Sequence, residues 1–168
     1  MTVMTVLRKF YMDNTPILGF FGEYRFLSNF YTPCTVVYEG LTFHSSENAY
    51  QAAKFDRKER FEFINITPAK SKRRAKALMI NHQSIYTKEE WEAVRDGVMT
   101  EIVHSKFLHN PNIARLLVAT GDRYLEETNT WGDDHFGVCT EKGLNRLGEI
   151  LMAERTWLTT HGVSRYGP

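Results

Sequence analysis

The sequence has little of what several large classes of protein depend on. Only two cysteines occur in 168 residues, Cys34 and Cys139, and they stand in no metal-binding or redox spacing. That suits free thiols in a reducing compartment better than a disulfide scaffold. No apolar run approaches the length of a membrane span, and the opening "MTVMTVLRKF" lacks the long apolar centre of a signal peptide. The expectation is therefore a soluble, unprocessed, cytoplasmic chain with no membrane partner. Excess charge is missing too: the formal net charge is +1, which gives no global field for nucleic acid or a lipid surface, so any anion site has to be a local cluster. The five prolines are spread rather than gathered into a linker, and no repeat or low-complexity tract is visible. There is no glycine-rich phosphate loop and no G-x-S-x-G elbow. His104 and His109 are five apart, whereas two ligands on one helical face need three or four, so no metal and no cofactor is expected.

What is present is the composition of one ordinary globular domain, 42% hydrophobic and 24% charged. A single domain over 1–168 is expected, with its core at about residues 18–158 and flexible ends. In the N-terminal third, "ILGFFG", "TVVYEG" and "LTFH" have β character, and Glu39-Gly40 is a turn signal between apolar runs. From Ser45 the signals become helical: Glu47–Phe55, then "KERFEFINI", then "TPAKSKRRAKALM" with Thr67 as N-cap and Pro68 at the first helical position. Thr87 and Glu90 have the spacing of a capping box ahead of an apolar stripe at Trp91, Val94, Val98 and Ile102, predicting a helix to about His109. "NPNIARLLVATG" predicts another, capped by Asn110 and stopped at Gly121. A loop-rich stretch leads to a last helix bearing Leu144, Leu147, Ile150, Leu151 and Leu158, and "THGVSRYGP" reads as a frayed tail. The fold class is α+β, mainly helical, with a small sheet or hairpin from the N-terminal third and "RYLEET" as a further strand.

Polar residues gather beside aromatics in three places: "FLSNF", which contains Asn29, "FHSSENAYQAAKF", and "NTWGDDHFG". In the second, Glu47, Tyr50, Gln51 and Lys54 follow the i, i+3, i+4, i+7 rule and share a stripe, while Ala49, Ala52 and Ala53 fall on other faces. The stripe is either a solvated face or one wall of a site; Phe43 and Phe55 at its ends favour burial, where a carboxylate needs partners. In the third, Gly132 and Gly137 permit unusual backbone angles and close ligand approach around Trp131, Asp133 and Asp134, and the competing reading is a surface loop whose aspartates cap the next turn. The run Lys70, Lys72, Arg73, Arg74 and Lys76 is either a solvated face or a local cation cluster for a phosphate. Trp91, by its place in an amphipathic helix, reads as a core residue.

The segments "FLSNFY", "VVYEGLTFHSSENAYQAAKF", "WEAVRDGVM", "LLVATGDRYLEETNTWGD" and "GLNRLGEILMAER", in that order from about Gly22 to Arg155, resemble the NADAR family, also called YbiA-like proteins. The resemblance implies a YbiA-like fold and hydrolysis of an N-glycosidic bond, either in ribosylated, phosphate-bearing intermediates of riboflavin synthesis or in ADP-ribose carried on guanine bases of DNA. A module that binds ADP-ribose or NAD without cleaving it is the alternative of another class. It also implies catalytic roles for Glu47 and Asp133, and substrate contacts for Trp91, Trp131 and Gly132. Tyr50, Lys54 and Asn29 complete the candidate substrate-binding set, with Lys54, helped by the Arg73–Arg74 region, meeting a phosphate. Many relatives have W-H-D-x-F-W-G where this chain has Gly132 and Phe136, so both substrate branches stay open. Partners are expected to be a small nucleotide-like substrate and, in one branch, ADP-ribosylated DNA.

Overall fold

The computed structural model describes residues 14–162. The expectations for the opening ten residues, and for the tail from residue 163 on, lie outside the described residues. In chain order the elements are β1 (Ile17–Leu18), a 3-10 turn (Gly22–Leu27), β2 (Val36–Tyr38), β3 (Leu41–Phe43), α1 (Ser46–Ala52), α2 (Arg57–Arg60), a second 3-10 turn (Phe61–Phe63), α3 (Pro68–Ile80), α4 (Lys88–Leu108), α5 (Pro111–Ala119), β4 (Leu125–Glu126), β5 (Thr128–Asn129), β6 (Val138–Cys139) and α6 (Arg146–His161). The fold is α+β and mainly helical. Among the described residues its β content is not one sheet: the strands form three separate two-stranded pairs. Two compact units are distinguished, Asn29–His109 and the remainder.

In the unit Asn29–His109, β2 and β3 form an antiparallel hairpin with Val36 opposite Phe43 and Tyr38 opposite Leu41. Glu39 and Gly40 at its tip have φ of 43° and 75°, the positive pair that a two-residue turn matching strand twist requires and that glycine adopts without strain. Val36, Tyr38, Leu41 and Phe43 all point inward, as a half-buried ribbon with a period of two demands. Ser45 caps α1, its Oγ accepting from the Asn48 N–H at 3.1 Å. Asn48 in turn donates from Nδ2 to the carbonyls of Phe63 and Ile66, both at 2.7 Å, so the helix start is tied to the chain that follows α2. Every residue of α1 is buried. Ala49, Ala52 and Ala53 are sealed off from solvent, and their small side chains allow α3 and α4 to pack against this one short helix. The helix ends at Ala52 rather than Phe55, which leaves Lys54 in the turn beyond it.

The predicted caps of α3 and α4 are present. Thr67 Oγ1 accepts from the Lys70 N–H, and Thr87 and Glu90 form the reciprocal box. The apolar stripe of α4 is core only in its second half: Val98 and Ile102 are buried, Val94 is exposed, and Trp91 is half-buried. Trp91 is thus not the core residue that amphipathic spacing predicts.

In the other unit, β1 pairs in parallel with β4, Ile17 opposite Leu125, which makes "RYLEET" a strand partner of the N-terminal segment. The α5 helix packs on α6, and α6 on β4. Asn110 precedes Pro111 as expected, but its side chain makes no capping bond to the helix. The α6 helix runs to His161, so Thr160 and His161, expected in a frayed tail, are helical. Its approach is set by Asn145, buried with φ at 52°. The Asn145 side chain donates to the Leu125 carbonyl at 2.8 Å and to the Tyr124 hydroxyl at 3.0 Å, and accepts from the Glu127 N–H at 3.0 Å.

Candidate active site

The stripe Glu47, Tyr50, Gln51 and Lys54 is not a solvated face. Glu47 is only 6% exposed, and Tyr50 and Gln51 are buried beside it. Within the stripe the hydrogen bonds run in one direction: Lys54 Nζ donates to Gln51 Oε1 at 2.7 Å, and Gln51 Nε2 donates to Glu47 Oε1 at 2.7 Å. Because an ammonium has only donors, this chain fixes the amide orientation and presents Glu47 with a donor, the arrangement suited to a carboxylate. The Glu47 N–H donates to the Asn29 carbonyl at 2.9 Å, so the "FLSNF" segment positions the start of the stripe. Asn29 is half-buried; its Nδ2 faces the Met99 sulfur at 3.5 Å, and its Oδ1 is shut off from solvent with no hydrogen-bond partner among the described residues.

Aromatic rings support the cation. Trp91 lies 5.2 Å from Tyr50 and 5.5 Å from Tyr86, centroid to centroid. Lys54 Nζ stands 5.2 Å from the Tyr50 ring centre and 5.4 Å from that of Trp91, within cation–π range. The Lys54 carbonyl accepts from the Ile85 N–H and the Ser84 hydroxyl, which pins the loop between α3 and α4 across the turn that bears Lys54. Burial lowers the Lys54 ammonium to a pKa of about 8; the Glu47 carboxylate opposes that shift and Lys72 adds to it.

Gln51 and Lys54 also line a pocket of about 600 Å³, whose other wall is α3 through Lys72, Arg73, Lys76, Met79 and Ile80. These five share one face by helical spacing, opposite the buried Ser71, Ala75 and Leu78. The basic run therefore divides. Lys72, Arg73 and Lys76 join Lys54 at the pocket, whereas Arg74 turns to an ion pair with Glu62 and is not part of the lining. Four cations with an apolar end at Met79 and Ile80 suit an amphipathic anion. The sequence alone pairs Lys54 with the Arg73–Arg74 region; recurrence of Lys72, Lys76, Met79 and Ile80 on one face is the signal that identifies the lining.

The third cluster belongs to the other unit. Gly132 has φ of 86°, an angle glycine adopts without strain; Gly137 does not share it and is instead packed against the Glu127 carbonyl, which an added Cβ would meet at 2.4 Å. The turn is closed by Asn129, which donates from Nδ2 to the Asp133 carbonyl at 2.7 Å and accepts from the Asp133 N–H at 3.1 Å. Asp133 Oδ1 accepts from the N–H groups of His135 and Phe136 at 3.1 and 2.9 Å, so that oxygen caps the following turn. Trp131 is 57% exposed. Backbone bonds from Leu144, Arg146 and Leu147 to Asp134, His135 and Phe136 hold the loop against the start of α6. Leu147 and Leu151 are buried, but Leu144, which the sequence pattern puts in the last helix, lies ahead of α6 and is 61% exposed. Among the described residues no group of three or more His, Cys, Asp or Glu is placed to hold a metal ion, and no helix is long and apolar enough to cross a membrane.

Comparison with known proteins adds independent findings. A family model for the NADAR domain matches residues 10–159. The chain is similar to a riboflavin biosynthesis protein of Vibrio vulnificus, 39% identical over 140 residues, which is 81% of this chain but 36% of that relative. It therefore spans about a third of that protein's length. It is also similar to the N-glycosidase YbiA of Escherichia coli, 33% identical over 150 residues, 84% of this chain and 88% of the relative. An N-glycosidase of Nostoc punctiforme is 31% identical over 133 residues, 79% of this chain and 84% of the relative. In three dimensions the chain matches the NMR structure of Escherichia coli YbiA with a TM-score of 0.74 and 30% identity, covering 89% of this chain and 88% of that one.

Proposed function

The chain belongs to the NADAR family, and from that premise we propose that it is a hydrolase of N-glycosyl compounds whose substrate is a ribosylated base bearing a phosphate. The observation that carries the reading is the buried Glu47 carboxylate, linked through Gln51 to Lys54 at the rim of a cationic pocket.

Cleavage of an N-glycosidic bond sends the bonding electron pair to the nitrogen, which takes up a proton, and leaves positive charge spread over the ring oxygen and anomeric carbon. Water then adds to that carbon and gives up a proton. A carboxylate beside the anomeric carbon binds this transition state more tightly than the ground state, and Glu47 takes that role. Lys54, Lys72, Arg73 and Lys76 hold the phosphate, the guanidinium by paired donors and the ammoniums as point charges. Met79 and Ile80 supply apolar contact at the far end, and Trp91 with Tyr50 walls the site beneath Lys54. Asp133, Trp131 and Gly132 are assigned to the same reaction by family resemblance, Trp131 by stacking on the base and Asp133 by handling water or a ribose hydroxyl.

The similarity to a riboflavin biosynthesis protein and to two N-glycosidases supports a ribosylamino-pyrimidine phosphate as the substrate. The test is parallel incubation with that compound and with a guanine-ADP-ribosylated oligonucleotide, reading released base and released ADP-ribose. Turnover of the first with little of the second is expected. The reverse result would move the enzyme to the DNA branch, and turnover of neither, with ADP-ribose bound, would make the protein a binding module. Replacing Lys72, Arg73 and Lys76 by alanine should raise KM for the phosphorylated substrate and leave a dephosphorylated analogue unaffected.

A further inference from the structure

We propose that Gln51 is a positioning residue that holds the Glu47 carboxylate and the Lys54 ammonium one amide group apart, so that both charges face a bound substrate rather than each other. The inference rests on the N-glycosidase reading for its meaning and on geometry for its content. Lys54 Nζ reaches Gln51 Oε1 and Gln51 Nε2 reaches Glu47 Oε1, each at 2.7 Å. Gln51 is buried, so its amide cannot turn over without losing both bonds and setting its NH₂ against an ammonium that has nothing to accept with.

The charges around Lys54 make such a spacer necessary. Glu47 and Tyr50 come from α1 with Gln51, the Trp91 ring comes from α4, and Lys72, Arg73 and Lys76 line the same pocket from α3. Lys72 repels Lys54, and Glu47 is the anion that attracts it. Without the amide, the ammonium relaxes toward the carboxylate. A closed ion pair would neutralise the charge that stabilises the oxocarbenium-like transition state and would draw Lys54 away from the phosphate. Gln51 thus preserves two opposite charges for two ends of one substrate.

The experiment follows the Lys54 Cε methylene by NMR in lysine-labelled protein, assigned with Lys54→Arg, in the wild type, Gln51→Ala and Gln51→Ser. Serine keeps a polar group but cannot span the gap, and it decides the matter if the alanine variant does not fold. In the variants Lys54 should titrate at least about one pKa unit higher than in the wild type as it closes on Glu47. Adding Glu47→Gln to either variant should abolish that rise. In the same variants kcat should fall about tenfold or more with a smaller change in KM. An unchanged or lower Lys54 pKa in a folded Gln51 variant overturns the proposal. The titration is read without substrate, so failure of the wild type to cleave any N-glycoside would count against the function while leaving the spacer result intact.

Discussion

Replacing Lys54 by methionine gives a test of the site that needs no substrate. Burial lowers the Lys54 pKa from an ordinary 10.5 to about 8, so the folded state holds this proton less tightly than the unfolded chain does. Below pH 8 both states are charged and the folded protein bears the full cost, on the order of 3 kcal/mol for a drop of that size. Between about pH 8 and 10.5 the folded state has released the proton while the unfolded chain still binds it. Stability therefore rises with pH across that window. At pH 9.5 roughly 1 kcal/mol of the cost remains, so ~2 kcal/mol is recovered between pH 7 and 9.5. Methionine keeps the aliphatic stem and removes the charge. The variant also loses the bond to Gln51 and the contacts over Tyr50 and Trp91, so its absolute stability is not the measure. The measure is the difference between wild type and Lys54→Met, by urea denaturation at the two pH values, in which the other titrating groups largely cancel. The stability of Lys54→Met relative to wild type should be greater at pH 7 than at pH 9.5 by about 2 kcal/mol. Parallel stability curves would refute the claim that the Lys54 ammonium is held in a desolvated place.

Four further outcomes are expected. Glu47→Gln should lower turnover by roughly 10²–10³ with substrate binding within a few-fold, because the charge acts mainly in the transition state; a near-normal single-turnover rate would remove Glu47 from the chemistry. Trp131→Ala should weaken binding by about 1–3 kcal/mol through lost stacking. Asp133→Asn retains an oxygen that can cap His135 and Phe136 and should lower turnover alone, so two silent variants in binding and rate measurements would confine the loop to a structural role. Gly148→Ala should destabilise the fold by about 3 kcal/mol or more, since an added Cβ would lie 2.1 Å from the Leu125 carbonyl oxygen; thermal melting within a degree of wild type would contradict that contact.

Much of the secondary structure is legible in short windows because its causes are local. The Glu39-Gly40 turn between apolar runs specifies the β2–β3 hairpin, and the Thr67 and Thr87 caps begin α3 and α4 where the sequence places them. Each depends on hydrogen bonds or dihedral preferences spanning about four residues. The stripe Glu47, Tyr50, Gln51 and Lys54 is equally legible as a periodicity, and five ordered segments suffice to place the chain in its family. Its burial is another matter: periodicity treats a solvated face and a site wall alike, and only the packing of α3 and α4 on α1 decides between them. The same holds for the basic run, whose even series of cations is divided by tertiary contacts that send Arg74 to Glu62 and bring Lys72, Arg73 and Lys76 to the pocket of Lys54. Trp91 sits where amphipathic spacing predicts core and is instead half-buried against Tyr50 and Tyr86. The parallel pairing of Ile17 with Leu125, and the grip of Asn145 on the chain twenty residues before it, join segments that no local window contains. A sequence fixes such contacts only through the free energy of the whole fold, because burial and long-range pairing belong to partners brought together in space rather than to neighbours along the chain.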